Sequence, residues 1–201
     1  MLIVDQSTRA REHVALRSMF AARKRIFVDL LKQDLPVLAD RYEIDHLDGP
    51  DATYLIVTDT EGEHLASARL LPTTGPASTG GPYRNLFPRP EFRGPDISEL
   101  THVCCTPDAG PRVRRRARDG LLHGLVGHAL ANGIRSFVGV ADHGWIARAT
   151  RLGCACRPLG AGGMCEGRAV LAFAIDIDSG TPARLAAAGV ADPGPIGRGA
   201  S

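Results

Sequence analysis

A chain of 201 residues, 44% hydrophobic and 23% charged, carries enough apolar side chains for one good core, and a single globular domain is expected. A formal charge of +2, only 5% aromatic residues and no interleaving of basic with aromatic positions argue against nucleic acid as a partner. No apolar run approaches the roughly 20 residues of a membrane span, and Met1 leads into "LIVDQ" without a basic n-region, so a cytoplasmic protein with no membrane partner is expected.

In chain order, "LIVD" predicts a short strand, and residues 9–32 predict a helical segment, open to a break, with an apolar stripe at Leu16, Phe20, Phe27 and Leu31. Residues 53–58 and 64–72 predict a hairpin turned by "DTEGE". Residues 74–96 hold too much Gly and Pro for regular structure, and a loop of that length is expected to be functional or mobile. "ISELTHVCCT" predicts a central strand. Pro111 opens a helix to Asn132 with Gly133 as its stop. "RSFVGVA" predicts a strand, Asp142 caps the helix "HGWIARATRL" that Gly153 ends, and "RAVLAFAIDI" predicts the last strand. A short helix follows in residues 179–201, and the tail from Gly189 has little to bury, so disorder is expected there. The order is mixed α/β. It lacks the regular βαβ alternation and the GxGxxG of a dinucleotide fold, which argues against a nicotinamide enzyme.

Five cysteines, Cys104, Cys105, Cys154, Cys156 and Cys165, offer no CxxC pair with zinc-like spacing, and seven histidines offer no HExxH, so no metal site is read. Cys104 and Cys105 fall in an apolar run, where a free thiol packs as a small hydrophobe in preference to acting as a nucleophile.

Three charges stand where apolar residues belong. Arg23 lies in the helical stripe, three after Phe20 and four before Phe27. Arg69 alternates with Leu65, Ser67 and Leu71, and Glu99 with Ile97, Thr101 and Val103. The stretch "YEIDHLDG" crowds Glu43, Asp45 and Asp48 into six positions. Buried charges need partners, so Arg23, Asp45, Asp48, Arg69 and Glu99 are expected to converge on one another or on a charged ligand. Spacing alone also allows a solvated turn with capping aspartates.

"RKRIF" (23–27), "YEIDHLDG" (42–49), "ARLLPT" (68–73), "NLFP" (85–88) and "ELTHVCC" (99–105) occur in this order. The ordered set resembles the acyl-homoserine-lactone synthases of bacterial quorum sensing, over about residues 1–178. The resemblance implies a single acetyltransferase-like (GNAT-type) three-layer α/β domain, with a mixed sheet and a bulged, splayed central strand. It implies acylation of the amine of S-adenosylmethionine by an acyl thioester, on acyl carrier protein or coenzyme A. Lactonisation then releases methylthioadenosine. S-adenosylmethionine is a substrate, and no cofactor is expected.

The family pattern carries Glu99 over as general base, and Arg23, Phe27, Asp45, Asp48 and Arg69 as the S-adenosylmethionine site. Two positions depart: Gln33 stands where the family usually has Trp, and His102 where it usually has Arg. Histidine is shorter and mostly neutral at pH 7, so it does not replace a bidentate arginine in kind. Phe87, Thr101, Val103 and Gly139 are expected at the acyl chain, and Gly139, where Thr often marks 3-oxo chains, leans toward an unsubstituted one. In a regular strand Glu99 and His102, three apart, would face opposite sides, so a bulge is expected between them. Arg112, Arg114, Arg115, Arg116 and Arg118 crowd the start of a helix, the end that disfavours cations, and an anionic carrier protein or coenzyme A would offset that cost. Beside the synthase stand two alternatives: an acyltransferase of the same fold acting on another amine, and a non-catalytic relative that binds acyl carrier protein or acyl groups.

Overall fold

The computed structural model describes residues 1–75, 85–87, 92–165, 167–194 and 196. Most of the loop expected over 74–96 lies outside them. Strand β1 (Leu2–Val4) precedes helix α1 (His13–Arg23), which continues into a π-helical segment (Lys24–Leu30). Two short strands, β2 (Val37–Leu38) and β3 (Tyr42–Glu43), pair antiparallel. Then come β4 (Thr53–Thr58) and β5 (His64–Pro72), the expected hairpin, and β6 (Ile97–Cys105), the expected strand. Helix α2 (Pro111–Ala131), β7 (Ser136–Ala141) and α3 (His143–Arg151) follow. Strands β8 (Ala155–Pro158), β9 (Gly163–Cys165) and β10 (Arg168–Asp176) and helix α4 (Thr181–Ala187) complete the elements.

The chain divides into two compact units, one gathering residues 1–70, 102–124 and those from 192, the other residues 71–101 and 125–191. In the first, strands run in the order β1-β4-β5-β6, with β4 antiparallel to both β1 and β5. Helix α1 turns Ala15, Leu16, Met19 and Ala22 inward onto a core that includes Val4, Tyr54, Leu55, Ile56 and Leu65. Strand β5 is buried along both faces from His64 to Leu71, so Arg69 has no solvent side to reach.

The apolar stripe holds at Leu16 but fails at Leu31, which is 52% exposed; Ile26 is buried instead. The cause is the π-helix. It closes i→i+5, as in the bond from Leu31 N to Ile26 O at 3.0 Å, so its wider turn slips against a 3.6-residue period.

In the second unit the order is β6-β7-β10-β8, with β9 also on β10. Here β6 runs parallel to β7, while β10 is antiparallel to β7, β8 and β9. Ile97, Val138 and Ala174 form a buried cluster on which Phe87, Phe92 and Leu159 pack. Asp142 caps α3 by accepting from Trp145 N at 2.8 Å, and Gly133 (φ +67°) and Gly153 (φ +85°) follow α2 and α3 as their stops.

The β6–β7 register runs only from Ile97/Ser136 to Glu99/Val138, although β7 continues to Ala141. Three residues on, His102 takes φ +50°, a left-handed conformation that costs a non-glycine residue about 1–2 kcal/mol. This is the bulge, and the central strand is splayed as expected. Where β6 leaves the register, a Cβ on Gly139 would stand 2.6 Å from Leu100 O and 2.8 Å from Phe173 Cζ. Glycine at 139 is therefore fixed by backbone proximity, whatever acyl chain the protein takes.

The tail differs from its expectation of little to bury. Val190 and Ile196 are 1% and 4% exposed, and Arg116 donates to Pro193 O at 2.8 Å. These two apolar side chains anchor the described part of the tail; residues 195 and 197–201 lie outside the described residues.

Candidate functional site

Five charged residues of the first unit interlock. Arg23, the last residue of α1, is carried inward by the apolar stripe on which it lies and is 1% exposed. Its Nε donates to Glu43 Oε2 at 2.5 Å, and its two terminal nitrogens donate to Asp48 Oδ1 and Oδ2 at 2.8 and 3.0 Å. From β5, Arg69 donates to Asp45 Oδ1 and Oδ2 at 2.6 and 3.0 Å and to Asp48 Oδ1 at 2.9 Å. The loop after β3 is folded to present these acids: Asp45 N donates to Asp48 Oδ2, and Tyr54 OH to Asp48 Oδ1, both at 2.8 Å. Arg9 holds the same loop from outside through Asp48 O and Gly49 O.

His102 completes the group. Its Nε2 stands 3.6 Å from Glu43 Oε1 and 4.0 Å from Asp45 Oδ2, and Phe27 meets the ring edge-on at 5.3 Å between centroids. Glu43 Oε1 and His102 Nδ1 are buried with no hydrogen-bond partner. Burial alone would lift the Asp48 carboxyl, but Arg23 and Arg69 beside it hold it well below the usual range. Burial likewise works against Glu43, and His102 and Arg23 outweigh it, so this carboxyl is also lowered. The Arg23 and Arg69 guanidiniums hold their protons more firmly than usual: burial opposes their ionised form, and the neighbouring carboxylates win. Burial lowers His102; Glu43 pulls it back in part, while the charges of Arg23 and Arg69 add to the lowering. With a neutral imidazole, three carboxylates face two guanidiniums. The cluster keeps one negative charge that no partner in it neutralises.

Thus four of the five residues expected to converge, Arg23, Asp45, Asp48 and Arg69, come together, with Phe27 and His102 beside them. Glu99 lies on β6 in the second unit, where it pairs with Val138, and Thr101 lies in the same unit; Val103, in the first, is half-buried. Phe87 packs on the Ile97–Val138–Ala174 cluster. Gln33 is half-buried, its N–H donating to Phe27 O at 2.9 Å. Of the arginines on α2, Arg112, Arg114 and Arg115 are exposed, whereas Arg116 holds the tail and Arg118 pairs with Asp119 at 2.5 Å. The residue missing from the expected site is Glu43, fully buried and bonded to Arg23; its one signal was its place in the acid-rich stretch.

One other group is chemically quiet. Ser67 bridges His64 Nε2 at 2.9 Å and Cys104 Sγ at 3.5 Å, but all three are buried and burial pushes the Cys104 thiol up to about 12. Glu43, Asp45 and His102 bring donor atoms within 4.8 Å of one another, yet both carboxylates already accept from guanidiniums, so no metal role is assigned.

Residues 7–185 match the Autoinducer synthase family. An acyl-homoserine-lactone synthase of Rhizobium etli is 36% identical over 148 residues, covering 72% of this chain and 69% of that protein. TofI, solved in a ternary complex with an inhibitor and MTA, superposes with a TM-score of 0.73 at 30% identity, covering 87% and 90% of the two chains. BjaI, a CoA-dependent acyl-homoserine lactone synthase solved with SAM and isopentyl-CoA, gives 0.81 at 22% identity, covering 94% and 88%. The same α/β architecture extends to an acyl-CoA N-acyltransferase from Pseudomonas aeruginosa, with a TM-score of 0.54 at 17% identity and coverage of 86% and 96%.

Proposed function

The chain belongs to the autoinducer synthase family, and from that premise we propose how its residues divide the work of an acyl-homoserine-lactone synthase. Such an enzyme acylates the amine of S-adenosylmethionine with an acyl thioester and then closes the lactone, releasing methylthioadenosine. The observation that carries the site assignment is the unbalanced charge of the cluster: Glu43, Asp45 and Asp48 against Arg23 and Arg69, with His102 and Asp45 its more exposed members at 16% and 14%. S-adenosylmethionine, with a sulfonium and an ammonium, is the cation that balances it.

Each arginine gives three hydrogen bonds to carboxylates, so the pair braces the acidic loop. Asp45, 14% exposed at its side chain, is the acid that reaches the ligand, and Phe27 and Gln33 are assigned to the same substrate. Glu99 acts as general base for the acylation, directly or through water. Near the end of the β6–β7 register, a backbone N–H of β6 would stabilise the tetrahedral oxyanion. Thr101, Val103 and Phe87 flank the acyl chain. The lactone-forming step asks only that the substrate's carboxylate be held against the carbon next to sulfur.

The acyl donor is a thioester of acyl carrier protein or of coenzyme A. Arg112, Arg114 and Arg115 suit the acidic surface of the first or the phosphates of the second. BjaI, with isopentyl-CoA bound, shows that this architecture serves the second in at least one relative. The test is mass spectrometry on purified enzyme supplied with S-adenosylmethionine and a series of acyl thioesters on both carriers. An N-acyl-homoserine lactone and an equal amount of methylthioadenosine are expected; acyl transfer to another amine without lactone would overturn the reading.

A further inference from the structure

His102 stands where an arginine is usual, and the difference has a chemical meaning that the geometry makes specific. An arginine there would bring the cluster to three positive and three negative groups and could never take up a proton. The histidine leaves the cluster one positive charge short and adds a titratable nitrogen. That nitrogen, Nε2, lies 3.6 and 4.0 Å from two carboxylate oxygens, too far for a hydrogen bond to either. One of them, Glu43 Oε1, is buried and otherwise unpartnered.

Glu43, Asp45 and His102 each bring one acceptor atom within 4.8 Å of the other two. Three ligands about 2.1 Å from a tetrahedral zinc stand about 3.4 Å apart, closer than either side of this triangle that meets at His102. Three acceptors about 2.9 Å from an ammonium nitrogen stand about 4.7 Å apart, and a cation seated slightly above the triangle narrows that. The triangle suits an ammonium group, which carries three donors and the missing charge.

We propose that the substrate ammonium seats against Glu43 Oε1, Asp45 Oδ2 and His102 Nε2, and that His102 takes the proton whose loss turns it into a nucleophile. This deepens the synthase reading and rests on it. Forming an amide from an ammonium requires two protons to leave nitrogen, and the two bases divide them. First an ammonium N–H bond breaks and an Nε2–H bond forms, leaving the lone pair on the amine to attack the thioester carbonyl. The second proton leaves the tetrahedral adduct to Glu99 or water. The expelled thiolate takes the imidazolium proton, which returns His102 to its neutral form and leaves one proton released overall.

The surroundings of His102 serve this role. Glu43 and Asp45 face Nε2 and stabilise the imidazolium, and the Nε2–H bond gives Glu43 Oε1 the partner it lacks. The nearby positive charges are Arg23 and Arg69, both neutralised by carboxylates, and Phe27 fixes the ring edge-on. Burial keeps the resting imidazole neutral at pH 7 and able to accept. For Nε2 to accept, the neutral ring must carry its hydrogen on Nδ1, an arrangement that the bound ammonium, facing Nε2 with its donors, favours over Nε2–H.

The test compares wild type, His102→Gln and His102→Arg by kcat and by KM for S-adenosylmethionine from pH 6 to 9. His102→Gln keeps a neutral acceptor but cannot take a proton. Its kcat should fall about 10²-fold at pH 7, with KM changed far less, and recover as the pH passes the amine's own pKa of about 8. His102→Arg should lose kcat as well. Lactone made by His102→Gln at the wild-type rate and pH profile, or by His102→Arg at the wild-type rate, overturns the proposal and leaves the synthase reading intact. Wild type that binds no S-adenosylmethionine and makes no lactone overturns both. Nitrogen-15 NMR of the ring in wild-type protein saturated with S-adenosylmethionine stands independent of whether the variants fold: an Nδ1–H tautomer or the imidazolium is expected, and a neutral Nε2–H tautomer overturns the proposal.

Discussion

At the scale of single residues, Arg23 holds two acids at once. Arg23→Ala would strand Glu43 and Asp48, each at most 1% exposed at its side chain, with no counter-charge from α1. Breaking a buried pair in this way costs about 3–5 kcal/mol, readable as a lower urea midpoint. Arg23→Lys should also lose stability, since an ammonium cannot reproduce the three-bond fork. The lowered pKa values of Glu43 and Asp48 set an acid limit: their stabilisation is complete above the ordinary carboxylate range and is lost as pH falls through their lower folded values. His102, also lowered, adds a loss in the same direction that begins below its unfolded pKa of about 6.5. Denaturation midpoints between pH 8 and 3 should show both limbs, and His102→Gln should remove the upper one alone. Glu99→Gln should keep the fold and lower turnover about 10²–10⁴-fold if Glu99 is a base, and hardly at all if it is a structural ion pair. Arg23 and Arg69 were legible because a charge on an apolar face is conspicuous. Glu43 was not, because its burial depends on a partner twenty positions upstream that spacing cannot pair with it.

Among the elements, the hairpin, β6, α2 and α3 are legible in the sequence because each runs long enough for a period or carries a stop and a cap. The π-helix is not: nothing in "KRIFVDL" distinguishes i→i+5 from i→i+4 bonding, and the choice is made by the packing around it. The short strands β2, β3, β8 and β9 are equally silent, since two to four residues make no alternation. The bulge at His102 follows from asking how residues three apart could share a face, a question that only the family resemblance raises. The element most sensitive to a small change is β7. Gly139→Ala would drive a methyl to 2.6 Å from Leu100 O and 2.8 Å from the Phe173 ring. Overpacking of this kind costs about 1–3 kcal/mol, measurable by chemical denaturation, and Gly139→Thr should cost more. A Gly139→Ala protein as stable as wild type would show that β6 can yield at that point.

For the molecule as a whole, two surface features make predictions. Ile196 is 4% exposed, so the C-terminal tail contributes to stability, and Ile196→Ala should cost about 2–5 kcal/mol if the site cannot collapse. A mutant within a few tenths of wild type would return the tail to a passive role. The exposed arginines of α2 report on the acyl donor. If a carrier protein docks there, added salt should raise its KM steeply, because the screening length falls from about 10 Å at 0.1 M to roughly 3 Å at 1 M. Replacing Arg112 and Arg114 with alanine should flatten that slope and leave S-adenosylmethionine affinity alone. A coenzyme A donor, with fewer charges, should give a gentler slope in the parent. Unchanged slopes for both donors would make these arginines a solvated face. Helix period and composition locate this basic face; they do not reveal that Arg116 and Arg118 are engaged with Pro193 and Asp119, because one partner is distant in sequence and the other lies beside it.

The odd carboxylate in the buried cluster also bears on how inhibitors should be sought. Any compact cation that enters beside His102 relieves the imbalance, and a ligand at 100 times its dissociation constant raises stability by about 2.7 kcal/mol. A melting-temperature screen of this protein would therefore score simple amines as hits on charge alone. Compounds that also present an anion should separate from that background when the screen is repeated at high salt, and those are the ones worth elaborating.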